Sequence, residues 1–148
     1  VVLIMGILLA IAIPAFLGAQ NGAKNRAAES DLNTALTAEK TAYSNTQAYT
    51  TNASSIEPSL NWTAATLAAA GNDVSATVDT NADEVCLEAL SGTGNKYFLL
   101  DETTGSAAGT YYANSAGAGS GATACPTVTT PLTAAPTGFA TSASTAGW

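Results

Sequence analysis

The side chains of this 148-residue chain with the plainest chemistry are two thiols, Cys86 and Cys125, and six acids, Asp79, Asp83, Glu84, Glu88, Asp101 and Glu102. Two cysteines in an exported chain most often pair. A Cys86–Cys125 disulfide would contribute about 4 kcal/mol on the chain-entropy estimate for a loop of this size. A buried pair of free thiols or a two-thiol metal site are the weaker alternatives, since a closed zinc shell needs four ligands and the chain has no histidine. The acids invite a calcium site built from hard oxygen ligands, or a carboxylate pair of the glycosidase kind. Neither has a D-x-D-x-D-G ladder or comparably dense spacing behind it, so the expectation is a solvated acidic face with no metal or cofactor. Without histidine there is also no Ser-His-Asp or Cys-His nucleophile and no His-ligated haem, and an enzyme is not expected.

Charge narrows the field further. Four basic residues, Lys24, Arg26, Lys40 and Lys96, stand against 11 acids, for a net charge of -7. Binding nucleic acid through counterion release needs clustered Lys and Arg, so no nucleic-acid partner is indicated. Charged residues are only 10% of the chain, with Ala, Thr, Ser and Gly in their place, a composition that suits an exported surface protein. Up to Asn45, Glu29, Asp31 and Glu39 balance three bases; eight acids face Lys96 alone between Thr46 and Glu102; beyond Thr103 no side chain is charged.

The elements that must position these residues begin with VVLIMGILLAIAIPAFLGA, about nineteen apolar or small residues, close to the roughly 20 that cross a bilayer as helix. A secretory signal peptide is the alternative, disfavoured by the missing positive n-region and the missing A-x-A site. The next stretch, through about Ser44, lacks proline and is rich in helix formers, with Ala28, Leu32, Ala35, Leu36, Ala42 and Tyr43 recurring as one apolar stripe. One long helix is expected, apolar all round at its start and amphipathic afterwards. Gly6 and Pro14 interrupt the apolar end, and Pro14 withholds the backbone hydrogen bond to Ala10, which weakens the helix there.

The run Gly6-Ile-Leu-Leu-Ala-Ile-Ala-Ile-Pro14-Ala-Phe16, leading into a long amphipathic helix, resembles the N-terminal segment of bacterial type IV pilins and the related type II secretion pseudopilins. A looser likeness to the sheet region of pilins runs from Cys86 to Gly105. The resemblance implies a filament core packed from Val1, Leu3, Ile4, Ile7, Leu8, Ile11, Ile13, Phe16 and Leu17, with the helix melted between Gly6 and Pro14 in the filament. It also implies several residues ahead of Val1, including a methylated N-terminal residue and a glutamate that pairs with a neighbouring subunit.

Four regions are expected: the helix over 1–45 (1–19 apolar, 20–45 amphipathic), a connecting loop over 46–72, a sheet with its disulfide loop over 73–125, and a tail over 126–148. In the connector, Thr63 reads as the cap of a short helix that stops at Gly71-Asn72. Val74–Asp79, Glu84–Leu90, Lys96–Leu100 and Gly109–Ala113 are strand-like runs divided by turn clusters, which predicts an antiparallel meander covering the amphipathic helix. The fold class is therefore α+β. Asn52-Ala-Ser and Asn61-Trp-Thr match the N-glycosylation sequon, and the Thr/Pro/Ala-rich tail is expected to lie loosely on the surface. The scattered aromatic rings are expected to serve core and interface packing.

Taken with the resemblance, these features predict a major pilin: anchored in the inner membrane first, then moved by the pilus assembly machinery into a helical filament of its own copies on the cell surface. A type II secretion pseudopilin and a membrane-anchored surface binding module are the alternatives.

Overall fold

The computed structural model describes residues 1–63, 67, 71–116, 121–127 and 131–148. Helix α1 spans Val2–Thr46, about 67 Å at 1.5 Å per residue, and runs on without a break through Gly6 and Pro14. It ends where Gln47 takes the left-handed conformation and its N–H bonds to the Tyr43 carbonyl. Strands β1 (Asn61–Thr63), β2 (Asp73–Val78), β3 (Glu84–Leu90), β4 (Lys96–Glu102) and β5 (Gly109–Asn114) form a sheet in that order, and a short helix α2 (Ala143–Ala146) closes the chain.

Strands β2 to β5 make the expected antiparallel meander. The first pair departs from it: β1 runs parallel to β2, with Asn61 opposite Asp73 and Thr63 opposite Ser75, so the sheet is mixed. Thr63 is the last residue of β1, and the cap expected of it concerns residues outside the described ones. Most of the short helix expected after it lies outside the described residues, and Leu67 is buried in irregular backbone.

Strand alternation gives the sheet two different faces. Val74, Ala76, Val85, Leu87, Ala89, Tyr97 and Leu99 point to α1 and meet Ala28, Leu32 and Ala35, the stripe legible in the sequence. Small alanines on the helix let its axis approach the sheet closely, and Leu32, with no exposed surface, fills the space between.

The opposite face is where the structure corrects the sequence. Cys86, Leu100 and Tyr111, and beside them Phe98 and Ala113, pack under Cys125, Leu132 and Phe139. The described tail residues therefore pack on the protein and do not lie loose: Leu132 and Phe139 cover the second face, and the chain then passes the β5 edge and brings Trp148 to the helix-facing cluster. Ala140 pairs with Tyr112 as an isolated bridge, and Asn114 donates to the carbonyls of Ala146 and Gly147. Trp148 sits edge-on to Tyr97 and Tyr112, with its indole N–H on the Ala113 carbonyl. Gly105 marks a close approach: its φ is +78°, and a Cβ there would come within 2.6 Å of the Leu132 carbonyl oxygen.

Candidate assembly surface

The first half of α1 leaves the globular part and is exposed along its whole length. Its twelve large apolar side chains, Val1, Val2, Leu3, Ile4, Met5, Ile7, Leu8, Leu9, Ile11, Ile13, Phe16 and Leu17, are between 54% and 92% exposed. They are distributed around the whole helix, so no single face could be hidden by one neighbouring element. All nine side chains named above as filament-core candidates are among them. An 18-residue window of α1 has a mean hydropathy of 2.6 and no buried residue, long and apolar enough to cross a membrane. An exposed apolar surface of this extent in water marks a contact with lipid or protein.

Just beyond it, the helix is fastened to the sheet by polar contacts. The Asn25 side-chain oxygen accepts from the hydroxyls of Ser91 and Thr93, which pins the β3–β4 turn to the start of the amphipathic half. Gly92 lies against the Lys24 stem, 3.0 Å from where its Cβ would be. At the other end, Asp101 accepts from the hydroxyls of Tyr49 and Thr110 and pairs with Lys40 Nζ at 3.1 Å. Burial, followed by that carboxylate, pushes the Tyr49 hydroxyl pKa upward. Glu39 is fully buried beside this group. Its Oε2 accepts the Thr50 backbone N–H at 3.0 Å, its Oε1 has no partner, and burial raises its pKa to about 7.

The six acids do not form a solvated face. Glu84, Glu88, Asp101 and Glu102 are buried, and only Asp79 and Asp83 keep moderate exposure. Asp101 points to the helix, whereas Glu84, Glu88 and Glu102 share the outer face with Cys86 and lie beneath the tail. Lys96 Nζ is 2.8 Å from Glu88 Oε1, and Glu102 accepts from the Thr104 backbone and hydroxyl. Asp79 is committed to its own turn, accepting the backbone N–H groups of Asn81, Asp83 and Glu84. Among the described residues no three acids or thiols converge as metal ligands.

Cys86 and Cys125 form a disulfide, with Cα atoms 5.8 Å apart, which ties the covering segment to the middle of the sheet. The sequons are placed differently. Asn52 is exposed in a loop, where its side-chain oxygen accepts the Ser54 N–H, whereas Asn61 begins β1 and donates its amide to Asp73 at 2.9 Å.

What sequence reasoning missed here is the seam of Glu39, Tyr49 and Asp101 and the burial of Glu84 and Glu88. A signal for the second existed: Glu84, Cys86 and Glu88 alternate on one face, so a disulfide at Cys86 must bring covering chain over both acids. The chain matches no family model, no curated protein and no solved structure. Its architecture, a long N-terminal apolar helix, a sheet and a disulfide, is an α+β, pilin-like fold.

Proposed function

We propose that this chain is the structural subunit of a type IV pilus-like filament, held together by the apolar half of α1. The observation that carries the proposal is the division of one continuous helix into a half packed on the sheet and a half with twelve exposed large apolar residues. Burying each such side chain contributes about 1.5–3 kcal/mol, so leaving all of them in water is not a stable arrangement for a monomer. Before assembly a bilayer surrounds the segment; in the filament, copies of the same helix replace the lipid. The subunits would repeat by a contact that does not close into a ring, which generates a helical fibre.

The neutral charge of residues 1–45 supports this reading, because a net charge in the core would recur at every subunit. Gly6 and Pro14 supply the place where the helix would loosen as copies crowd together. Imaging of sheared cell-surface material, with mass spectrometry of the fibres, tests the proposal. Fibres composed mainly of this chain are expected; the chain recovered only as a detergent-soluble monomer, with no fibre containing it, would refute the proposal.

A further inference from the structure

A cavity of about 290 Å³ lies between the outer face of the sheet and the segment that carries Cys125. Its walls include Ser75, Thr77, Asp79, Glu84 and Glu88 on one side and Cys125 and Pro126 on the other. The chemistry of the lining is one-sided. Glu84 is 3% exposed, and its Oε2 has no hydrogen-bond partner. Glu88 lies alongside with its one cation, Lys96, and Ser75 and Thr77 add hydroxyls. No side chain lining the cavity is cationic. A buried carboxyl oxygen without a donor is unfavourable, and a ligand that brings N–H donors and a positive charge would relieve it.

We infer that this cavity is a binding site for a primary ammonium or guanidinium group, with Glu84 as its principal acceptor and Glu88 and the hydroxyls as secondary ones. A metal ion fits less well, because Asp79, the most accessible acid of the wall, is already engaged by three backbone N–H groups, and no metal-ligating cluster exists among the described residues. Two sources carry the required chemistry. One is a small amine from solution. The other is a second copy of this chain, whose Lys24 and Arg26 are exposed and form no ion pair among the described residues.

Burial, then the charge of Glu102 across the strand pair and a hydrogen bond to it, then Asp79 and Asp83 of the β2–β3 turn raise the Glu84 pKa to about 8, so without a cation beside it Glu84 holds a proton near neutral pH. The covering residues 124–127 contribute no charge. Entry of an ammonium would displace that proton to solvent, giving proton release on binding.

Calorimetric titration of the full chain in detergent micelles with ethylammonium, in two buffers of different ionisation enthalpy, tests the site without any filament. Saturable binding with proton release at pH 7 is expected, and Glu84→Gln should weaken it by about tenfold or more. Thr77→Arg, at an exposed position on the rim, should block the cavity without disturbing the core. The inference is overturned if ethylammonium does not saturate, if Glu84→Gln and Thr77→Arg bind like the parent chain, or if calcium binds and ethylammonium does not displace it. Fibres, where formed, separate the sources: uptake of ethylammonium only after Lys24→Gln and Arg26→Gln assigns the cation to a neighbouring copy, and uptake by the parent fibre assigns it to solution.

Discussion

Glu39 is an acid in a helix stripe otherwise made of alanine and leucine, and its consequence is a pH dependence with a definite sign. In the unfolded chain a glutamate titrates near 4.5; burial raises Glu39 to about 7 and Glu84 to about 8 in the folded chain. Between those values the folded state keeps protons that the unfolded state releases, so stability falls as pH rises from about 4.5 to about 8. Denaturant melts at pH 5 and pH 8.5 are therefore expected to show the more stable protein at pH 5. Glu39→Gln should shrink the difference and leave the Glu84 share; an unchanged difference would contradict this placement of Glu39. Leu32→Ala, at the centre of the helix–sheet contact with no exposed surface, should cost about 2–5 kcal/mol in the same assay. The apolar partners of that contact were legible because spacing of three and four residues is set locally. Glu39 falls at the same spacing, four residues after Ala35 and three before Ala42, so the stripe itself placed it against the sheet; what no local pattern gives is its distant neighbours, Tyr49 and Asp101.

Among the elements, two fastenings of the covering segment can be tested one at a time, the disulfide and the close contact at Gly105. Replacing both Cys86 and Cys125 by serine is expected to lower stability by about 4 kcal/mol, read from denaturation midpoints with and without reductant. Gly105→Ala would drive a Cβ into the Leu132 carbonyl at a left-handed φ and should cost about 1–3 kcal/mol. A value within a few tenths of zero would show that the tail does not press on this turn. The four meander strands were readable from alternation and turn residues, but β1 and the cover were not. β1 is three residues long and pairs in parallel, so its register depends on a connection that no local pattern encodes. The cover is made of small and uncharged residues anchored by Leu132 and Phe139, while Trp148 anchors the chain end on the other face, each meaningful only beside its distant partner. In α1 the local rule and the structure can be separated by experiment. Pro14 removes one backbone bond, at roughly 3 kcal/mol for a helix interior, yet the isolated chain stays helical through it. Pro14→Ala should therefore raise helicity in micelles little, and in filaments it should restore helix between Gly6 and Pro14.

For the whole molecule, the separation of an apolar, neutral helix from an acidic globular part dictates how an assembly would respond to its surroundings. A bond made by helix against helix is insensitive to ionic strength, since screening acts on exposed charges, and is sensitive to detergents that compete for apolar surface. Fibres are expected to persist in molar salt and to dissolve in detergent, and dissolution by salt alone would point instead to an ionic interface at the globular surface. Ile11→Lys, at a position 70% exposed and outside the globular part, should abolish fibres while leaving the thermal melt of the globular half unchanged. The most direct test is a helical reconstruction by electron cryomicroscopy of surface fibres shown by mass spectrometry to consist of this chain. Residues 1–19 are expected at the fibre axis, surrounded by the same residues of neighbouring copies, with the sheet and its cover outside. Fibres in which those residues lie at the solvent-facing surface, or joined only through their globular parts, would contradict it.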